Sequence, residues 1–283
     1  MAKTGKFQPL SFFQFCADFR FRNSDLRPIA LWCLALFLLP MAALGQPKSG
    51  LRQPQPLDPA EAQKQGRALV ADLLAQRPAQ NSTNTGVMRI RDSNGSQREL
   101  PIQFEVIPQS SGWLNIYLAS PAAGRPGERL TIIHSDAQPS QYLVGAIPAG
   151  GNGNSSARTL SANQTMVAFA GSDFWVADLG LEFLHWPKQL LLKKEMRRSR
   201  SCNVLESVNP EPIPGAYSRV RCWIDLESDA IVMAEAYDSQ DKLLKEFAPK
   251  EIKKIQGEWQ LEEMEIRNVQ AGSRTRVVFN LGQ

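Results

Sequence analysis

From Thr85 onward the chain is written with a period of two. Gly86-Val-Met-Arg-Ile-Arg91 alternates apolar and polar residues and stops at Asp92-Ser-Asn-Gly95, a strong turn signal. Leu100–Ile107, Trp113–Leu118, Glu128–Ile133 and Gln141–Gly145 continue the series, each set off by Gly, Pro or Ser. Further runs are expected at about 189–196, 200–208, 216–225, 230–238, 242–255, 258–269 and 274–281. Asp238-Ser-Gln-Asp241 and Gln256-Gly257 mark tight reversals between the later runs. Successive strands joined by short turns form an antiparallel meander. An open sheet of about eleven strands must curl or close, because twisted sheets rarely grow so wide. The expected fold is mainly β: one curved antiparallel sheet forming an incomplete barrel, covered by one or two helices.

Two segments read as helix. Asp58-Pro59-Ala60-Glu61 combines a capping carboxylate, a proline at the first helical position and a glutamate three residues after the cap. Leu69, Val70, Leu73 and Leu74 then share one face, and Arg77-Pro78 ends the run. Residues 172–186 read as a short helix with an irregular continuation, capped by Ser172 or Asp173.

The start of the chain has the form of an export signal. A basic stretch ends at Arg27, an apolar run covers Ile29–Leu39, Pro40 breaks it, and Ala43-Leu44-Gly45 offers small residues for cleavage. The apolar run is short for a bilayer span of about 20 residues. The organisation expected is therefore a signal peptide at 1–45, a Pro/Gln linker at 46–57 and one β-domain at 58–283. An uncleaved anchor is the alternative. Formal net charge is +4. Lys3, Lys6, Arg20, Arg22 and Arg27 against Asp18 and Asp25 supply most of it, so the remainder is nearly neutral. That argues against a nucleic acid partner, which needs a concentrated basic face.

Little in the chain suggests catalysis or a metal. His134 and His185 have no His or Cys at ligand spacing, and no nucleophile elbow, zincin motif or calcium loop occurs. A glycosidase-type pair of carboxylates leaves no local mark, so a hydrolase remains a rival reading. No cofactor is expected. Cys202 and Cys222 flank the turn-rich Asn209-Pro-Glu-Pro-Ile-Pro-Gly215, and a hairpin centred there would face them across two strands as a disulfide. Two buried thiols are the alternative. Lys193, Lys194, Arg197, Arg198 and Arg200 form a basic cluster, read as a charged strand edge or as a contact for anionic headgroups. The residues expected to line the inside of the curve are Met88 and Ile90; Ile102, Phe104 and Val106; Leu114, Ile116 and Leu118; Val220, Cys222 and Ile224. Trp113, Tyr117, Tyr217 and Trp223 make the other sides of their strands apolar too.

The C-terminal half resembles a known family. Ala170-Gly171-Ser172-Asp173-Phe174, followed by Ala177-Asp178-Leu179, is similar to the Gly-Ser-Asp-Phe-x-x-x-Asp-Leu signature of outer-membrane lipoprotein-sorting proteins. Cys202–Glu206, Tyr217–Asp225, Glu235–Lys245, Ile252–Trp259 and Met264–Asn268 resemble that family's later strands in order, so the likeness covers about residues 165–281. It implies the fold of the lipoprotein carriers LolA and LolB, an incomplete β-barrel around an apolar cavity for acyl chains. The function it implies is a periplasmic carrier or chaperone for lipoproteins or lipids, with no enzyme activity. An inner- or outer-membrane protein complex would be the expected partner. An envelope sensor or protein-binding scaffold of the RseB type is the alternative on the same fold.

Overall fold

The computed structural model describes residues 57–281, apart from 123, 136–138, 150–156 and 256–257. The expected leader, nearly all of the expected linker, most of the Gly-rich stretch at 149–156 and the Gln256-Gly257 tip lie outside the described residues. Helix α1 (Pro59–Leu74) starts as its sequence dictates. The Asp58 carboxylate accepts from the amides of Ala60 and Glu61 at 3.1 and 3.4 Å, and Pro59 occupies the first turn. Val70 and Leu73 are buried. Gly66 lets the helix lie against backbone, since a Cβ there would come within 2.4 Å of the Gln189 carbonyl oxygen.

Thirteen strands follow among the described residues. They are β1 (Ser82–Arg91), β2 (Gln97–Gln109), β3 (Gly112–Ala119), β4 (Gly127–Ser135), β5 (Gln141–Ile147), β6 (Arg158–Leu160), β7 (Lys188–Arg197), β8 (Arg200–Val208), β9 (Arg219–Asp225), β10 (Ile231–Tyr237), β11 (Leu243–Ile255), β12 (Glu258–Asn268) and β13 (Ser273–Phe279). All belong to one antiparallel sheet in the order β6-β5-β4-β3-β2-β1-β13-β12-β11-β10-β9-β8-β7. The sheet does not close: β6 and β7 are its two free edges. The strand missing from the sequence reading is β6, three residues long and too short to show a period.

Two meanders therefore lie side by side, β1–β6 and β7–β13, and the seam between them is the β1–β13 pair, with Met88 opposite Val277 and Ile90 opposite Thr275. The first meander keeps unbroken register from β1 to β6. The second is interrupted by bulges between β7 and β8, β9 and β10, β10 and β11, and β11 and β12. Bulges bend a strand and raise its twist, which lets this half curl inward. The segment from 161 to 187 joins β6 to β7, and so connects the two free edges. It holds a short helix α2 (Val176–Leu179) between turns of 3-10 helix at Ala162–Gln164 and Glu182–His185.

Candidate functional site

The inner face of the sheet is continuous and oily. Cross-strand partners share a face, so the register fixes who looks inward. Phe104 sits opposite Tyr117, Ile102 opposite Ala119, Met88 opposite Val277, and Cys222 opposite Leu205 and Ala234. All of these join one buried cluster with Ile90, Val106, Val220 and Ile224. Most of the residues proposed from sequence for the inner wall are thus brought together. Strand β3 is the exception. Its inward side carries Trp113, Tyr117 and Ala119, so Leu114, Ile116 and Leu118 lie on the opposite face. Alternation shows which residues travel together but not which set is inside, and β3 is apolar on both sides.

What fills the curve is the 161–187 segment itself, here called the strap. Phe169, Phe174, Val176, Leu179, Phe183 and Leu184 of the strap belong to the same buried cluster as the sheet wall. Phe174 and Val176 are 0% exposed. The spaces left beside them are small. One, of about 10 Å³, is lined by Met88, Ile102, Tyr117, Phe169, Phe174 and Leu179, with Gln103 and Leu118 also bordering it. Another, of about 20 Å³, lies among Phe183, Val220, Ala234, Ala236, Phe247 and Ile266, with Lys245 and Asp178 beside it. Roughly 10–15 Å³ holds one water. Neither space admits an acyl chain. The apolar cavity expected from sequence is, among the described residues, a hollow occupied by the protein's own chain.

Polar contacts hold the strap at intervals. Its tip is a two-residue turn with positive φ at Ala170 (50°) and Gly171 (62°), in which the Ser172 amide donates to the Phe169 carbonyl at 2.9 Å. Arg98 on β2 donates to the carbonyl oxygens of Ala170 (3.0 Å) and Gly171 (2.5 Å), while Glu128 on β4 accepts from the Ala170 amide at 2.9 Å. The Ser172 hydroxyl accepts from the Phe174 amide at 3.1 Å. Asp173 accepts from the hydroxyls of Ser273 and Thr275 on β13. Asp178 caps α2 by accepting from the Trp175 amide at 2.8 Å. The signature thus has structural work at each position: Gly171 turns the chain, Ser172 and Asp173 fix it, Phe174 fills the core, and Asp178 and Leu179 form the helix.

Asp178 also belongs to a buried charged cluster. The Tyr217 hydroxyl donates to it at 2.9 Å, and the Lys245 ammonium lies 3.6 Å from its carboxylate. Lys245 is 2% exposed. It donates to the Asp173 carbonyl at 2.7 Å and sits 3.5 Å from the centre of the Trp175 ring, which stacks on Tyr217. Burial lowers the Lys245 pKa to about 8, with Asp178 and Asp173 opposing the shift. Burial raises the Asp178 carboxyl, opposed by Lys245, the Trp175 amide and Tyr217. The far end of the strap is held by tyrosine hydroxyls and one amide. Tyr117 donates to the Leu179 carbonyl at 2.9 Å, and Tyr142 donates to Glu182. Gln189 on β7 donates to the carbonyls of Phe183 (2.9 Å) and Trp186 (2.8 Å). Sequence reading missed Lys245 and Gln189 and set Tyr217 on the side away from the inner wall, whereas Tyr217 joins the inner cluster, because each acquires its meaning from a partner on another element.

The expected disulfide does not form. Both cysteines are free and buried. In the β8–β9 pair Cys222 faces Leu205, while Cys202 faces Asp225. The offset between Cys202 and Leu205 is three residues, an odd number, which puts the thiols on opposite faces of the sheet. Cys222 joins the inner cluster and Cys202 a smaller outer one with Val204, Trp223, Ala230 and Val232. Burial pushes both thiols up. The basic cluster lies along the edge strand β7 and its turn to β8. Lys193 pairs with Glu195, Arg197 sits over the Trp223 ring at 5.0 Å, Arg198 donates to the Pro249 carbonyl at 2.6 Å, and Arg200 meets Asp225 at 3.4 Å. His134 stacks on Trp113 with centroids 4.5 Å apart, and burial lowers its pKa to about 3. Among the described residues no group of three or more His, Cys, Asp or Glu could hold a metal, and no helix is long and apolar enough to cross a membrane.

Comparison with solved structures places this architecture. A DUF1329 family protein from Desulfovibrio piger matches with a TM-score of 0.61 and 20% identity over 78% of this chain and 95% of its own. A domain described as an outer membrane lipoprotein-sorting protein, from Vibrio parahaemolyticus, matches with a TM-score of 0.60 and 18% identity over 78% and 94%. The chain shares the fold of these two proteins, the second of them a lipoprotein-sorting domain. A LolA superfamily protein from Nitrosomonas europaea is also similar, at 14% identity over 79% of this chain and 92% of its own, with a TM-score of 0.49. A family model described as "Uncharacterized protein" matches residues 154–281, so it takes in the strap and the whole second meander. No curated protein matches the chain. Within the lipoprotein-sorting fold, the strap runs through the hollow between the sheet's two free edges.

Proposed function

We propose that this protein is a periplasmic carrier or chaperone for acylated ligands, with the strap occupying the place of the ligand's acyl chain when none is bound. One observation carries the reading. The curved wall is lined by Met88, Ile102, Phe104, Tyr117, Val220 and Phe247, and its filling comes from a segment outside the sheet. Moving the strap away would leave the meanders paired, because none of the thirteen strands lies within it. An unfilled oily hollow is costly in water, so a carrier needs some occupant between loads. The magnitudes suit reversible exchange. Six apolar strap side chains contribute about 1.5–3 kcal/mol each by burial, roughly 9–18 kcal/mol together. A saturated chain of about 14 methylenes gains roughly 11 kcal/mol against water at about 0.8 per CH₂. On apolar burial neither occupant dominates, and the strap's polar contacts, Lys245 with Asp178 above all, add to what a ligand must displace. The chemistry required is burial alone, with no cofactor and no bond made or broken.

The test uses the mature protein and a palmitoylated peptide, followed by native mass spectrometry and tryptophan emission. Binding should give a one-to-one complex and a change in emission that is reduced in Trp175→Phe and lost when Trp186→Phe is added, because both tryptophans lie on the strap. Phe104→Asp on the inner wall should abolish binding, while Leu114→Asp on the outer side of the neighbouring strand should keep it. Both variants are first checked for native circular dichroism. An acyl chain that fails to bind the wild type, or that binds Phe104→Asp equally well, overturns the proposal. So does stable capture of a protein partner by delipidated protein without any acyl dependence.

A further inference from the structure

Three arginines meet on the outer face at the seam of the two meanders. Arg274 on β13 lies directly opposite Arg91 on β1 and, on its other side, directly opposite Arg267 on β12. Like charges placed opposite each other across strands are destabilising. The next rung of the same face shows how such a row is normally neutralised. There Arg89 pairs with Glu99 at 2.9 Å, and Arg276 pairs with Glu265 at 2.6 Å and Glu263 at 3.2 Å. On the arginine rung, only Arg267 has an acidic partner, Glu246 at 3.6 Å. Among the described residues neither Arg91 nor Arg274 has a carboxylate within ion-pair distance.

The three side chains border a cleft of about 210 Å³, which is closed by the β1–β2 turn (Asp92, Ser93, Gly95) and the β12–β13 turn (Asn268, Gly272, Ser273). It is many times larger than the internal spaces and has room for an anion with several waters. The one carboxylate at its border, Asp92, is already engaged, accepting from the amides of Asn94 and Ser96 at 2.9 Å each. The β12–β13 turn is held in shape by the Ala271 amide donating to the Asn268 side chain at 2.9 Å. Two rigid turns thus frame three guanidinium groups, whose fork geometry suits the paired oxygens of a phosphate.

We infer that this cleft is a binding site for a phosphate-bearing anion, held by Arg91, Arg274 and Arg267. The site stands apart from the acyl hollow and does not depend on the carrier reading. The two are nevertheless adjacent, because Ser273 borders the cleft and also donates to Asp173 at the foot of the strap tip. The ligand chemistry is shared by free phosphate esters and by phospholipid headgroups, and the test separates these sources.

The full mature protein is titrated with sn-glycerol 3-phosphate by calorimetry, with chloride at matched ionic strength as control. In parallel it is sedimented with vesicles of phosphatidylglycerol in phosphatidylcholine. Each arm is repeated with Arg91→Gln/Arg274→Gln. Saturable glycerol phosphate binding, weakened at least tenfold in the variant, supports the site with a free ligand. Vesicle binding that the variant loses, without free-ligand binding, supports the site with a headgroup. Binding equal in wild type and variant, or absent in both arms, overturns it. The thermal melt keeps the variant informative. In phosphate-free buffer it should melt at or above the wild type, because the opposed charges are relieved, and it should lose the upward shift that phosphate gives the wild type. A variant that melts lower and keeps that shift counts against the inference.

Discussion

The two meanders hold the strap by different means. The first, β1–β6, presents an apolar wall, grips the strap tip through Arg98 and Glu128, and touches its far part through the hydroxyls of Tyr117 and Tyr142. The second, β7–β13 with the turn before β9, brings a buried ammonium, a tyrosine stacked on the strap's own Trp175, and the Gln189 amide, all directed at particular strap atoms. Apolar burial is non-directional and accepts any oily occupant of suitable size. A buried charge tolerates only the partners that satisfy it. The wall of the first half is therefore exchangeable, while the middle of the strap takes its pose from the buried charge of the second.

Four measurements break or sharpen this contrast. The largest effect is expected in the second half. Lys245→Met leaves the Asp178 carboxyl buried without its counter-charge and should cost about 3–5 kcal/mol in urea unfolding. Adding Asp178→Leu should restore part of that loss, since no unpaired charge remains. If Lys245→Met is silent, the directional half of the contrast fails.

Next comes pH. The Lys245 pKa is about 8 in the fold and 10.5 when hydrated. Between those values the unfolded chain binds more protons, so this group adds stability as pH rises from 8 to 10.5. The wild type should gain on the order of 3 kcal/mol relative to Lys245→Met across that window. Parallel curves for the two proteins would show that Lys245 is hydrated. A smaller effect is expected in the first half. Tyr117→Phe removes one hydroxyl from the Leu179 carbonyl and should cost about 1–3 kcal/mol, with amide exchange rising along the strap. Leu114→Asp, on the outer side of the same strand, should change stability by less than about 1 kcal/mol. A loss of several kcal/mol there would place Leu114 inside and reverse the facing of β3.

Those last two variants mark the boundary of what the sequence makes legible. The alternation at 86–91 and 100–107 is visible because one side of each strand is polar, and these strands form where expected. Asp58-Pro59 and Glu61 announce α1 through local capping chemistry, which needs no tertiary partner. The turn at Gly171 is equally local, but the cap expected from Ser172 or Asp173 is supplied instead by Asp178, and Asp173 finds its partners far along the chain on β13. Strand β3 is different, since Leu114 and Leu118 on one side and Trp113 and Tyr117 on the other give no polar reference. The cysteine pairing depends on where the 209–218 turn sets the register, and a turn rich in proline admits several registers. Lys245 looks like any exposed hairpin lysine until Asp178, on a separate element, is brought beside it. The filled hollow had no local mark at all. Residues 172–186 read as a helix to be laid over the sheet, whereas the chain lays them inside it.

The β1–β13 seam has a consequence for how the molecule is made. The strand at the middle of the sheet meets its partner only when Phe279 can reach Gly86, a separation of 193 residues along the chain. Each meander can zip up by neighbouring hairpins, but their union is a late, long-range event, and such pairings are slow. A chain lacking β13 would hold two half-sheets with raw borders at the place where the folded protein has its centre. The union of the halves thus rests on a single pairing between strands far apart in the chain.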